Sequence, residues 1–259
     1  MKWPNTLTVV RHGQSAYNEL KGLKETDPLY AEFKTAYNRR KKDPETAKHL
    51  AQQLLREGTL ILGCGDHDTP LTSVGEQQAE ITGSCLSELI ELPDVIFVSP
   101  YLRTHQTLGK MAVSWPELAN VKTVEDERIR EQEHGLALLY NDWRIFNIMH
   151  PEQEDLRDLQ GAYWYRYPQG ENVPDVRMRD RSMLGTYTRD YADKNIMVVG
   201  HHLSILSLRA DLERLDAAGF MDLDENHKPV NCGVTIYRGN PGAGQDGHLE
   251  LDIYNQQLY

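Results

Sequence analysis

Three short apolar runs in the sequence are each followed by arginine or histidine side chains. Arg11 and His12 follow Leu7–Val10, Arg103 follows Val95–Ser99, and His201 and His202 follow Ile196–Gly200. Guanidinium groups bind phosphoryl oxygens, and a histidine beside them could act as a nucleophile, a general base or a metal ligand. The spacing predicts a pocket for a phosphate dianion, provided that the three runs end at the same place.

The apolar runs have the length and the β-branched composition of strands that are buried on both faces. A fourth run, Gly233–Tyr237, has the same character. Helix-length stretches lie between the runs, at Thr72–Leu92, Leu102–Trp115, Val173–Ala192 and Ser204–Arg214. This alternation predicts an α/β domain with a largely parallel sheet, whose strands share one carboxyl edge and so bring the arginines and histidines together.

The last strand candidate, His248–Tyr254, alternates apolar and polar residues. This alternation indicates a strand with one solvated face, and we expect it at an edge of the sheet. An edge strand could pair with a second copy of the chain, so a homodimer is one expectation.

Two segments look inserted into the α/β pattern. Residues 19–66 contain two helix starts of the Asp-Pro type, at Asp27 and Asp43, in which an N-cap aspartate precedes a proline at the first helical position. Residues 136–168 are rich in aromatic side chains, which suit either a small core or a lid over a pocket. We expect one domain over residues 1–259, with these insertions as cap elements.

The charge balance excludes several classes of partner. The chain has 259 residues, 39 of them acidic and 28 basic, for a formal net charge of −11. Such a surface disfavours general binding to nucleic acid or to anionic membranes, and no apolar run approaches the ~20 residues that span a bilayer. The three cysteines form no paired spacing, which indicates reduced thiols and a cytoplasmic location.

Six segments, in order, resemble motifs of the histidine phosphatase superfamily, whose fold is that of phosphoglycerate mutase. They are Arg11-His12-Gly13 with Ser15 and Asn18, Asp68–Thr72 with Gly75, Ser99-Pro100 through Arg103 and Thr107, Arg130–Gly135, Pro168–Asn172, and Val199–His202. The chain departs from the family pattern at Asn172, where serine is usual, and at His202, where glycine is commonest. The resemblance implies a three-layer α/β/α sandwich with a mixed, mostly parallel sheet, and it says little about the two insertions.

The resemblance also implies roles for individual residues. His12 would be the nucleophile that becomes phosphorylated, and Glu131 would donate and later accept a proton; the phosphoryl oxygens would be held by Arg11, Asn18, Arg103 and His201. Glu133 remains an alternative to Glu131, because both would share a face if this segment were a strand. For His202, we expect either a substrate contact or a role of its backbone N–H.

The predicted activity is hydrolysis of a small phosphomonoester without a cofactor. Two alternatives are a cofactor-dependent phosphoglycerate mutase and a phospholigand-binding protein without catalysis. The segment Asp66-His67-Asp68 has metal-ligand residue types, but adjacent residues rarely converge on one ion, so we predict no metal site there.

Overall fold

The computed structural model describes residues 3–259, which divide into two compact units. The sheet unit contains the chain up to Ser15, His67–Gln132 and Val173–Tyr259. The helical unit contains Ala16–Asp66 and Glu133–Asn172. The helical unit therefore includes both segments that the sequence marks as insertions, and the single domain over the whole chain stays a prediction.

A six-stranded mixed sheet forms the centre of the sheet unit, in the order β3-β2-β4-β1-β5-β6. Its strands are β1 (Thr6–Arg11), β2 (Val95–Val98), β3 (Lys122–Glu125), β4 (Asn195–Gly200), β5 (Val234–Asn240) and β6 (His248–Gln256). The first four strands are parallel to one another, whereas β5 runs antiparallel to both of its neighbours, β1 and β6. The mixed, mostly parallel sheet is confirmed, and β6 lies at an edge as predicted.

The strands bury alternate residues on opposite faces, because successive side chains of a strand point to opposite sides. The helices of this unit are α4 (Ser73–Leu89), α5 (Leu102–Ser114), α8 (Val173–Asp190), α9 (His202–Leu212) and α10 (Ala217–Asn226). Val9 and Val198 pack in one core cluster with Met183 of α8. Val10 and Met197 pack in another with Leu86 of α4. The sheet thus has a helical layer on each face, which confirms the three-layer architecture.

The helical unit has its own core. It contains α1 (Ala16–Thr26), α2 (Pro28–Asn38), α3 (Pro44–Glu57), α6 (Trp143–Met149) and α7 (Pro151–Gln160). The predicted caps are confirmed: Asp27 accepts a hydrogen bond from Tyr30 N, and Asp43 accepts one from Thr46 N. Phe33, Leu50 and Ile145 belong to one buried cluster, so both inserted segments contribute to the same core.

A buried ion pair lies inside the helical unit. Lys24 Nζ is 3.3 Å from Asp142 Oδ2, and both side chains are almost fully buried. Tyr30 donates its hydroxyl to the same Oδ2 at 2.5 Å, while Asp142 Oδ1 accepts from the amides of Arg144 and Ile145 at the start of α6. The carboxylate therefore both caps a helix and neutralises a buried ammonium group.

We expect Asp142→Asn to lower the free energy of unfolding by about 3–5 kcal/mol, because it leaves a buried ammonium group without its counter-charge. Urea unfolding measures this loss, and Asp142→Asn combined with Lys24→Met should recover part of it. The exposed pair Lys34–Glu25, 2.6 Å apart, is the control, since breaking it should cost less than about 1 kcal/mol. Equal losses for the two pairs would contradict the prediction.

Candidate active site

The end of β1 turns sharply against the start of α4. A Cβ on Gly13 would lie 2.4 Å from the carbonyl oxygen of Gly75, and a Cβ on Gly75 would lie 2.1 Å from that of Gln14. Thr107 Oγ1 accepts the Gly13 amide at 3.0 Å, which ties the turn to α5 as well. Only glycine allows this backbone contact, and the contact fixes the direction in which His12 leaves the sheet.

The imidazole of His12 is buried, with 3% of the residue exposed. Its Nδ1 lies 2.7 Å from the Gly13 carbonyl oxygen. A carbonyl can only accept a hydrogen bond, so Nδ1 carries the proton and Nε2 keeps its lone pair. Burial, with the positive charges of Arg103 and Arg11, holds the pKa of His12 well below its usual value. The ring is therefore neutral near pH 7 and has a free nitrogen.

His201 lies beside His12, with their ring centroids 5.2 Å apart. It follows β4 directly, and its Nε2 is 2.7 Å from Ser99 Oγ at the end of β2. Its Nδ1 is buried and has no hydrogen-bond partner. Burial, followed by the charge of Arg103, also holds the pKa of His201 well below its usual value. Two neutral imidazoles thus lie at the carboxyl edge of the parallel strands.

Two guanidinium groups complete this edge. Arg11 donates through Nη1 to the Pro229 carbonyl at 2.7 Å, while its buried Nε has no partner. Arg103 lies in the first turn of α5, 4% exposed, and its guanidinium is 4.7 Å from the centre of the Tyr101 ring. An unsatisfied buried N–H is costly, so the Arg11 Nε, together with the positive charge around it, favours an anion at this place.

The carboxylate of Glu131 contacts the start of α9. Its Oε1 accepts from the amides of Gln132 (2.9 Å) and Leu203 (3.1 Å), and its Oε2 accepts from the amide of His202 (3.1 Å). These are the contacts of a carboxylate at the positive end of a helix. Glu131 therefore lies next to His201, at the same edge of the sheet as the other predicted groups.

The sequence profile of the histidine phosphatase superfamily (branch 1) matches residues 56–246. The chain belongs to the histidine phosphatase superfamily. The matched residues do not include the turn at Arg11-His12-Gly13. This turn lies beside the end of β4 because β1 and β4 pair in the sheet, with Arg11 opposite Gly200.

The chain also resembles individual proteins of known sequence or structure. It is 30% identical to the phosphoglycerate mutase-like protein AT74 of Arabidopsis thaliana, over 74% of this chain and 62% of that protein. It is 28% identical to AT74H of the same plant, over 54% of each chain. The chain thus spans about half to three fifths of these relatives' length. A mycobacterial glucosyl-3-phosphoglycerate phosphatase, solved with inorganic phosphate, has the same fold, with a TM-score of 0.62, 20% identity and 98% coverage of both chains.

His202 is one of the two positions, with Asn172, at which the motifs depart from the expected pattern of the superfamily. Its amide donates to Glu131 Oε2 at 3.1 Å, while its contact with substrate stays a prediction. Its side chain reaches α10, where Nε2 lies 2.9 Å from Asp224 Oδ1. Sequence reasoning did not find Asp224, because nothing in the local pattern of α10 points back to residue 202.

Two predicted residues lie in the helical unit. Asn18 is on α1, and its contact with phosphate stays a prediction. Glu133 pairs its backbone with Glu171, accepting the Glu171 amide at 2.8 Å and donating its own amide to Glu171 Oε2 at 3.0 Å. The strand considered for this segment is wrong, since residues 130–134 form neither a strand nor a helix.

The remaining chemical candidates give no additional centre. His67 and Asp68 contact one another on the surface, with Nδ1 and Oδ1 3.1 Å apart. Within residues 3–259, no group of three or more histidine, cysteine or carboxylate residues is arranged to hold a metal ion.

Over the same residues, no helix combines the length and the apolar character needed to cross a membrane. The three cysteines form no disulfide, and burial raises the pKa of Cys232 to about 12.

Proposed function

We propose that this member of the histidine phosphatase superfamily hydrolyses small phosphomonoesters through a phosphohistidine on His12. The observation that carries the proposal is the 2.7 Å contact between His12 Nδ1 and the Gly13 carbonyl, because it leaves Nε2 as the free nucleophilic nitrogen. The low pKa of His12, caused by burial and by Arg103 and Arg11, supports the same role by keeping that nitrogen unprotonated.

In the first step, the Nε2 lone pair of His12 attacks phosphorus and the bond from phosphorus to the ester oxygen breaks. Glu131, protonated at this stage, gives its proton to the departing oxygen, so an alcohol leaves and a carboxylate remains. Arg11, Arg103, His201 and, in our proposal, Asn18 bind the phosphoryl oxygens and stabilise the charge of the transition state. His202 contributes through the amide that orients Glu131.

In the second step, water attacks the phosphohistidine on the side opposite to His12. The Glu131 carboxylate takes a proton from this water, the bond between phosphorus and Nε2 breaks, and inorganic phosphate leaves. The site then returns to a neutral His12 and a protonated Glu131. The guanidinium groups of Arg11 and Arg103 supply the positive charge, so the proposed mechanism uses no metal ion and no cofactor.

The test is phosphate release from a panel of phosphomonoesters in the presence of EDTA, including p-nitrophenyl phosphate and 3-phosphoglycerate. We expect turnover that EDTA does not reduce, because no step of the mechanism uses a metal. Activity that EDTA removes and that zinc or manganese restores would contradict the metal-independent mechanism.

A second candidate is a phosphoglycerate mutase, and it is favoured by the likeness to plant proteins named phosphoglycerate mutase-like. A mutase would convert 3-phosphoglycerate into 2-phosphoglycerate faster than it releases phosphate. Analysis of the products by ³¹P NMR separates the two activities. Binding of vanadate or phosphate with no turnover of any substrate would instead identify a phospholigand-binding protein.

A further inference from the structure

Arg179 on α8 binds the backbone that carries Glu131. Its Nη1 donates to the carbonyl oxygens of Arg128 and Arg130, both at 2.7 Å, and its Nη2 donates to that of Glu131 at 2.9 Å. The planar guanidinium thus contacts three carbonyls within four successive residues. The planar guanidinium of arginine has several N–H donors in fixed directions and can bind these carbonyl oxygens together, whereas the compact ammonium group of lysine is poorly suited to do so.

The segment that Arg179 binds has little regular structure to hold it. A short 3-10 turn covers Glu127–Ile129, and its backbone hydrogen bonds are long, at 3.3 Å for Ile129 N to Asp126 O and 3.4 Å for Arg130 N to Glu127 O. Residues 130–134 lie outside any helix or strand. Contacts from side chains must therefore define the path of the backbone at Glu131. Arg179 makes such a contact with the carbonyl oxygen of Glu131 itself.

The next residue of α8 fixes the other partner of Glu131. Asp180 Oδ1 accepts the hydroxyl of Ser204 on α9 at 3.0 Å, and burial raises the pKa of Asp180 well above its usual value. The start of α9 provides the amides that bind the Glu131 carboxylate. One turn of α8 therefore holds both the main chain of Glu131, through Arg179, and the helix that binds its carboxylate, through Asp180.

We propose that Arg179 is a positioning residue for Glu131, whose carboxyl group it aims at the ester oxygen by holding three backbone carbonyls. The proposal rests on the proposed function, in which Glu131 protonates the leaving group. When Arg179 is replaced, His12, Arg11 and Arg103 keep their positions, whereas proton transfer from Glu131 to the ester oxygen becomes less efficient. The loss should then depend on how much the leaving group needs a proton.

The experiment compares two substrates that differ in the leaving group, p-nitrophenyl phosphate and an alkyl phosphate. The kcat/KM value reports only the steps up to release of the alcohol, so dephosphorylation does not affect it. For Arg179→Ala we expect kcat/KM to fall roughly 10- to 100-fold with the alkyl phosphate, within the range of general acid catalysis. With p-nitrophenyl phosphate, whose leaving group needs no proton, we expect a change of less than about threefold. An equal fall with both substrates, or no fall with either, would overturn the proposal.

Two further variants separate positioning from damage to the fold. Arg179→Lys keeps the positive charge but lacks the planar guanidinium. It should therefore show the same dependence on the leaving group as Arg179→Ala. It replaces the alanine variant if that variant does not fold. In a Glu131→Gln background, Arg179→Lys should add no further loss with the alkyl phosphate. An additive loss would show a general structural role and would overturn the proposal.

The matched control is Arg181→Ala on the same helix. Arg181 is exposed and binds Asp211 at 2.8 Å, an aspartate that Arg177 also binds. We expect both substrates to react as with the wild type. If the wild type releases no phosphate, or if His12→Ala remains active, the proposed function has failed; if only the dependence on the leaving group is missing, the role of Arg179 alone has failed.

Discussion

Replacing His12 by alanine is expected to reduce kcat for phosphomonoesters by at least about 10⁴-fold, the order of loss seen when a catalytic nucleophile is removed. The imidazole is buried with Nδ1 bound to the Gly13 carbonyl, so no other orientation of the ring competes with attack through Nε2. The wild type mixed with substrate and quenched within milliseconds should hold phosphate on one histidine. Mass spectrometry of the peptide containing residue 12 detects this intermediate.

The control for this prediction is His105→Ala. His105 lies on α5, is substantially exposed and contacts Glu125 on the surface, so its removal should leave both the rate and the labelled peptide unchanged. Phosphate found on another histidine, or full activity of His12→Ala, would mean that the nucleophile has been assigned to the wrong residue.

Replacing Arg103 by methionine is expected to reduce kcat/KM about 10³-fold or more, because an arginine that neutralises charge on a transferring phosphoryl group contributes this much. A second effect concerns pH. The charge of Arg103 is, after burial, the largest cause that lowers the pKa of His12, so its loss raises that pKa. Since protonated His12 cannot attack, activity should be lost at a higher pH than in the wild type as the solution is acidified.

A profile of kcat/KM against pH measures this shift. The wild type and Arg103→Met are compared with the same substrate, so that the ionisation of the substrate affects both profiles equally. Lys110→Met is the matched control. Lys110 lies on α5 and pairs with Glu76 at 2.8 Å on the surface, so its replacement removes a positive charge from the same helix without changing the site. An acid limb of Arg103→Met that coincides with the wild-type limb would contradict the electrostatic role.

The sequence alone predicts the elements whose apolar residues are continuous. Strands β1, β2, β4 and β5 are buried over most of their length, and each follows from a β-branched run. The strand β3 does not, because its residues Lys122–Glu125 are mostly exposed and leave no apolar signal. Helix α10 was also missed, so the partner of His202 on it could not be anticipated.

The parts of the candidate site that depend on the type of a side chain could be predicted from the sequence. The parts that depend on backbone carbonyls and amides could not. Arginines and histidines after buried strands stand out in the sequence. The Pro229 carbonyl that binds Arg11 is 218 positions away, and any residue other than proline would offer the same oxygen. The position of Glu131 likewise depends on Arg179, 48 residues further along the chain, and on the amides of α9, so its local sequence alone left Glu133 open as an alternative.

The place of β1 in the sheet has a consequence for synthesis on the ribosome. This strand lies between β4 and β5, and Thr6 pairs with Asn195, which is 189 positions later. At ordinary rates of translation, β1 waits about 10–40 s for its first neighbour. During that time the run Leu7–Val10 is an unpaired apolar strand, the kind of segment that holdase chaperones bind. His12, the proposed nucleophile, follows this strand directly and is therefore made long before β4, without which the edge of the sheet that holds His201 is not complete.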